Sequence, residues 1–211
     1  MPTMAHALTL STAALTPPER RAAAMVGARA FFTDPFFRFL SPDAILRNLG
    51  LTTYMTTMLN HLGPVGQVTT VRTGDGELAG VSIWQPPGGY PLPVSVQLAQ
   101  LPGTLRSLYR RPRALRDGTT YLNAVAKVHP KNPHWYLQLL VCEPEQQRQG
   151  VGTMLLEHQL GLVDRDGLPA YLETQKESNL SYYRRFGFTE VTELRPRRDG
   201  PPLWTLTRPA R

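Results

Sequence analysis

The stretch WYLQLLVCEPEQQRQGVG, residues 135–152, decides how this chain is read. Trp135 to Cys142 is apolar and bulky, the composition of a strand covered on both faces. Glu143-Pro144-Glu145 stops it, because proline cannot continue a central ladder. After Gly150 the period changes. Val151, Met154, Leu155, His158 and Leu162 recur three or four positions apart, one face of a helix. The turn therefore delivers a helix N-terminus flanked by Gly150 and Gly152. Free N–H groups and the positive end of the helix dipole meet there, and positions without a Cβ let an anion approach the backbone.

Gln147-x-x-Gly150-x-Gly152 at a strand-to-helix turn resembles the pyrophosphate loop of the GNAT superfamily of acyl-CoA N-acyltransferases. Two later segments fit in order and spacing. One is a short strand, Ala170 to Thr174, with Glu173 near its end. The other is Asn179 through Tyr183 to Gly187-Phe188, similar to the family's Asn…Tyr…Gly-Phe segment. The resemblance implies one α/β domain of the GNAT fold over residues 1–211. That fold is a mixed, twisted sheet of about six or seven strands with helices on both faces. It also implies acetyl-CoA as cosubstrate and direct transfer of the acetyl group to a primary amine, with no metal and no covalent enzyme intermediate.

The same resemblance assigns roles. Backbone N–H groups over Gln147, Arg148, Gln149, Gly150, Val151, Gly152 and Thr153 hold the diphosphate. Exposed backbone of Leu140, Val141 and Cys142, where the fourth and fifth strands splay, pairs with the pantetheine amides. Asn179 contacts the coenzyme, although as N-cap of a short helix it would need no ligand. Tyr183 is the expected acid for the departing thiolate, because a phenol with a pKa near 10 stays protonated at neutral pH. Its neighbour Tyr182 should point elsewhere, about 100° around the helix. Glu173 is the expected base, or a carboxylate that attracts a cationic acceptor; a strand-end glutamate paired with an arginine is the bland reading. His129 and His134 are weaker base candidates, and the histidines lack metal-ligand spacing.

Composition narrows the classes. A chain of 211 residues with 41% hydrophobic and 18% charged residues is an ordinary globular domain. Its one cysteine, Cys142, excludes an internal disulfide or cysteine metal site. The start lacks the basic region and long apolar run of a secretory signal, and no 18-residue apolar run exists, so a cytoplasmic enzyme with no membrane partner is expected. The formal charge of +7 suits a polyanion. The charges are scattered except for Arg106, Arg110, Arg111, Arg113 and Arg116, which lack aromatic interleaving and read as a solvated helical face rather than a nucleic-acid platform. A small-molecule acceptor and a monomer or homodimer are expected.

Around the core stretch the punctuation is clear. Ala7 to Leu10 reads as a first strand. Thr16-Pro17-Pro18-Glu19 opens a helix to about Phe32, Pro35 begins a helical turn, and Asp43 starts a helix to about His61. Phe31, Phe32, Phe36 and Phe37 read as core, or as a wall of the acceptor pocket. Thr73-Gly74-Asp75-Gly76 joins two antiparallel strands, Gln67 to Arg72 and Leu78 to Trp84. Between Pro91 and Pro130, Ser95 to Tyr109 and Arg113 to Lys127 have helical spacing. They form an insertion between the third and fourth strands, suited to acceptor selection. Then follow a helix from about Leu180 to Phe186 and strands near Phe188–Leu194 and Leu203–Thr207. A dinucleotide fold also pairs Gly-x-Gly with an acid about 20 residues on. Here Leu155 stands where its third glycine belongs, and the further strand–helix units are missing. Acetylation of a protein amine and a catalytically idle acyl-CoA-binding module are the alternatives.

Overall fold

The computed structural model describes residues 7–108 and 112–211, with the side chains of these apart from residues 100 and 103–112. Seven strands form one sheet: β1 Thr9–Ser11, β2 Gln67–Arg72, β3 Leu78–Gln85, β4 Trp135–Cys142, β5 Ala170–Thr174, β6 Glu190–Leu194 and β7 Leu203–Arg208. Their order is β1-β2-β3-β4-β5-β7-β6. Only β4 and β5 pair in parallel; the other neighbours are antiparallel.

Helices α1 Pro17–Phe31, α2 Pro35–Leu40 and α3 Ala44–Leu62 precede β2. The polar residues read as start signals do that work. Thr16 and Glu19 form a capping box, Asp34 accepts from the Phe36 N–H at 3.0 Å, and Asp43 accepts from the Leu46 N–H at 2.8 Å. The insertion folds as α4 Val94–Leu108 and α5 Pro112–Val128. Arg110 and Arg111 lie outside the described residues, as does the side chain of Arg106, and Arg113 and Arg116 are exposed. Among the described residues no helix is long and apolar enough to cross a membrane.

The sheet is covered on both faces. Val81, Ile83, Leu139 and Val141 pack against Ala24, Val26, Leu51 and Met55 of α1 and α3. On the other side Leu137, Leu172 and Leu206 pack with Leu156 and Leu160 of α6, Val151–Asp166. A bulge in β4 divides these loyalties. Ile83 pairs with Leu139 but Trp84 with Leu137, so Gln138 is the extra residue. Trp135 and Leu137 therefore face α6, while Leu139 and Val141 face α3. A bulge re-aims side chains in this way, and Tyr136 is left on the α3 side.

Close packing fixes the start of α6. A Cβ on Gly80 of β3 would lie 2.5 Å from Val151 Cγ1 and 2.9 Å from the Val141 carbonyl oxygen. Gly80→Ala is expected to lower stability by about 1–3 kcal/mol, the usual range for overpacking. The urea midpoint measures this, and an unchanged midpoint would mean that α6 shifts freely.

Four expectations need correction. The first strand lies at Thr9–Ser11 rather than Ala7 to Leu10. The strand expected from Phe188 begins at Glu190, because Phe188, fully buried, plugs the core behind α6 instead. Gly187 makes this possible by turning the chain with φ +89°. The short helix, α7, runs Ser178–Arg184, two residues earlier than read. Asn179 is therefore inside the helix and does not cap it; the cap position is Glu177.

Candidate active site

The phosphate turn takes the form its glycines require. After a single 3-10 turn at Pro144–Gln146, Arg148 has φ +63° and Gly150 has φ +88°. Gly150 is the cap of α6, and the first bond closing on it runs from the Met154 N–H to the Gly150 carbonyl at 2.9 Å. The N–H groups of Val151, Gly152 and Thr153 thus have no partner within the helix. Val151 is buried and anchors the helix, whereas Arg148, Gln149 and Gly150 are exposed. The side chain of Gln147 donates to the Cys142 carbonyl at 3.4 Å, and that of Gln149 to the Glu145 carbonyl at 2.8 Å. Arg29 grips Glu143 with two bonds of 2.7 and 2.6 Å, tying α1 to the end of β4.

Beside the turn the sheet opens. The β4–β5 register runs Trp135↔Ala170, Tyr136↔Tyr171 and Leu137↔Leu172 and stops there. Both strands continue, to Cys142 and Thr174. Leu140, Val141 and Cys142 are held by β3 on one side and lack β5 on the other. This half-paired edge and the open N-terminus of α6 fit an extended, amide-bearing chain ending in a diphosphate.

Two tyrosines approach the gap from the α6 side. Tyr183 is 7% exposed, with its ring edge-on to Phe188 at 5.9 Å and to Tyr182 at 5.3 Å. Burial, then the nearby Tyr182 and Cys142, raise its pKa well above the usual tyrosine value. Tyr182 does not point elsewhere. A Cβ on Gly152 would sit 2.8 Å from its hydroxyl, which is buried without a hydrogen-bond partner. Both tyrosines lie close enough to Cys142, at the open end of β4, to feel its thiol. Cys142, half-buried, has its thiol pushed up to about 11 by burial, so it is protonated at neutral pH. Asn179 donates to Thr174 Oγ1 at 3.0 Å, fastening α7 to β5.

Glu173 occupies the opposite face. It alternates with Leu172 and Thr174, so it shares the α3 side with Tyr136 and Tyr171. Among the described residues no arginine pairs with it. The Tyr136 hydroxyl donates to Glu173 Oε2 at 2.7 Å. Burial and the charge of Glu173 hold the Tyr136 pKa well above its usual value. Glu173 Oε1 is buried without a hydrogen-bond partner and faces His129 Nδ1 at 3.6 Å. Tyr90 stacks on His129 with centroids 3.6 Å apart. His129 and His134 meet through their Nε2 atoms at 3.0 Å. The sequence ranked these histidines behind Glu173 without joining them to it. Their spacing of five is unremarkable in one dimension, and only the turn between α5 and β4 brings the rings together.

The phenylalanines of the first two helices continue this wall. Phe37 packs on Phe31 at 5.4 Å and on Tyr54 of α3 at 5.8 Å, and Phe36 on Tyr121 of α5 at 4.8 Å. Phe32 instead lies under the Arg47 guanidinium at 4.5 Å. Among the described residues no cluster of three metal-ligating side chains occurs.

Known proteins resemble the chain in this region and over its whole length. The family model of the acetyltransferase (GNAT) domain matches residues 114–190, the span that holds α5, β4, the phosphate turn, β5 and α7. An uncharacterized N-acetyltransferase of Schizosaccharomyces pombe is 26% identical over 183 residues, 81% of this chain and 70% of its own. The solved structure of a Corynebacterium glutamicum protein, described as histone acetyltransferase HPA2 and related acetyltransferase, superposes with a TM-score of 0.69 at 22% identity, over 97% of both chains. The ribosomal-protein-S18-alanine N-acetyltransferase of Escherichia coli follows at 0.55 and 19%, over 97% of this chain and 94% of that one. At these identities the structures establish the fold, a seven-stranded open mixed sheet between helices.

Proposed function

We propose that this chain, an acetyl-CoA N-acetyltransferase with the GNAT fold, transfers the acetyl group to the primary amine of a small molecule. The observation carrying this reading is the enclosure of Glu173. Its side chain is 11% exposed and is ringed by His129, Tyr136 and Tyr171, with Tyr90 stacked on His129. The Tyr121 hydroxyl donates to the Pro201 carbonyl at 2.5 Å, joining the α4–α5 insertion to the β6–β7 loop. A peptide needs an open groove, whereas a compact amine head fits a walled notch. The resemblance of residues 135–152 and 169–188 to puromycin N-acetyltransferase, looser at Trp84-Gln85-Pro86-Pro87 and Leu203-Trp204-Thr205-Leu206, supports the same acceptor class.

Acetyl-CoA supplies the acetyl group as a thioester. The N–H groups from Arg148 to Thr153 would hold its diphosphate, and the free edge of Leu140, Val141 and Cys142 its pantetheine amides. Asn179 would lie beside it. Base and acid then stand on opposite faces of the sheet, with the β4–β5 gap between them. Glu173 takes a proton from the acceptor amine, directly or through a water. Tyr183 gives one to the leaving sulfur, since its raised pKa keeps the phenol protonated. The positioned pair converts a two-body encounter into a reaction within one complex.

A protein N-terminus is the second reading, favoured by the likeness to the S18-alanine enzyme. Thiol release from acetyl-CoA by the full chain, measured against primary amines such as aminonucleosides and arylalkylamines and against a peptide panel, separates them. Small amines are expected to accelerate release. Acceleration by peptides alone would overturn the reading, and release with neither would point to an acyl-CoA-binding module.

A further inference from the structure

The hydrogen bonds beside Glu173 determine where the histidine protons sit. His134 Nδ1 lies 2.7 Å from the Asn132 carbonyl oxygen, which can only accept, so that nitrogen carries the proton. Burial, the largest cause, lowers the His134 pKa, so the ring is neutral at pH 7 and its Nε2 is a bare acceptor. His129 Nε2, 3.0 Å away, must then donate. In the tautomer that donates through Nε2, the bare His129 nitrogen is Nδ1, which faces Glu173 Oε1 at 3.6 Å. Both atoms are buried without a hydrogen bond of good geometry, and the Tyr171 hydroxyl, buried and unpartnered in the same way, is a further donor beside Glu173. Two facing acceptors in a low-dielectric site are costly unless a donor comes between them.

We propose that Glu173 Oε1 and His129 Nδ1 form a one-proton acceptor for the ammonium form of the substrate, with His129 a second catalytic residue. His134, fixed by the Asn132 carbonyl, is the positioning residue that keeps His129 in its accepting tautomer. The inference deepens the amine-acetylation reading and rests on it. Proton balance requires such a device. A primary ammonium loses two protons as its N–C bond forms and the thioester C–S bond breaks. One proton leaves on the released thiol, and the other goes to the carboxylate–imidazole pair and then to solvent. The shared Nε2–Nε2 bond lets the imidazoles pass it on, His129 losing its Nε2 proton to His134 as Nδ1 gains one.

The surroundings suit a cation. The charge of Glu173 is felt by Tyr54 of α3, Tyr90 of the loop after β3, His134, Tyr136 of β4 and Tyr171 of β5. Lys176, beyond β5, is engaged instead with Asp34 at 3.9 Å. Tyr90, Tyr136 and Tyr171 gather their rings beside this carboxylate, and aromatic rings and a carboxylate each attract an ammonium group.

Two measurements test this. Long-range proton–nitrogen spectra of the 15N-labelled full chain at pH 7 report the tautomers without any substrate. The expected result is a proton on His134 Nδ1, a proton on His129 Nε2 and a bare His129 Nδ1. A proton on His129 Nδ1 overturns the proposal whatever the acceptor proves to be. With an amine that the chain acetylates, His129→Gln is expected to lose about 100-fold in kcat/KM at pH 7. It should recover progressively as pH rises through the amine's own pKa, where the substrate arrives already deprotonated. A profile parallel to that of the wild type overturns the catalytic role. His134→Gln, whose amide oxygen can still accept the His129 Nε2 proton, should keep more activity than His134→Leu, and equal loss in both removes the positioning role. Failure to find any amine substrate would defeat the amine-acetylation reading while leaving the spectral result standing.

Discussion

Glu173→Gln is expected to lower kcat/KM for the amine by about 100- to 10,000-fold, the range that one positioned general base supplies. The substitution keeps the shape of the side chain and an oxygen for the Tyr136 hydroxyl, now 2.7 Å from Oε2. Folding should therefore survive, and the urea midpoint of the variant checks that it does. Donor affinity should also survive, because the turn at 147–153 and the free edge of β4 lie on the other side of the β4–β5 gap. The loss thus falls on the acceptor half of the reaction, read by thiol release at saturating acetyl-CoA. Wild-type rates in the variant would remove Glu173 from the chemistry and leave Tyr136, Tyr171 and His129 packed around a structural acid.

Residues 135–152 were legible because local physics fixes them. An apolar run, a proline stop and two glycines before a helical period allow little else, and β4, the turn and α6 fall where they were read. Capping chemistry placed α1, α2 and α3 in the same way. What escaped depends on contacts between distant segments. The bulge at Gln138 exists only relative to β3, yet it puts Tyr136 on the side of Glu173. The start of α7 moved because Asn179, a good cap by type, bonds Thr174 of β5 instead. Tyr182 meets Gly152 beside Cys142, a contact between distant segments that no helical wheel predicts. The His129–His134 contact needs the α5–β4 turn to close. The sequence therefore read the strand, turn and helix proposed to hold the donor with their observed bounds. Around Glu173 it named His129, His134 and the phenylalanines one by one without joining them, since that side is assembled from α3, α5, β4, β5 and the loop carrying Tyr90.

Tyr183→Phe is expected to lower kcat by about 100-fold while acetyl-CoA affinity changes little, because the phenol is needed only as the C–S bond breaks. The ring stays, so its edge contacts with Phe188 and Tyr182 in the core behind α6 survive. Tyr182→Phe should behave oppositely. Its hydroxyl is buried beside Gly152 with no hydrogen bond of good geometry and only the Thr153 side chain near it, and removing so weakly paired a hydroxyl costs little stability. Any kinetic change should appear in the KM for acetyl-CoA, since the group touches the start of α6. The pH dependence separates the two further. Burial raises the Tyr183 pKa, so its acid form persists as pH climbs past the ordinary tyrosine value of about 10. The rate should accordingly show no alkaline limb from this group below that value. Should Tyr182→Phe abolish turnover and Tyr183→Phe spare it, the proton donor is the neighbour that already faces the phosphate turn, and the motif match at Tyr183 is a packing residue.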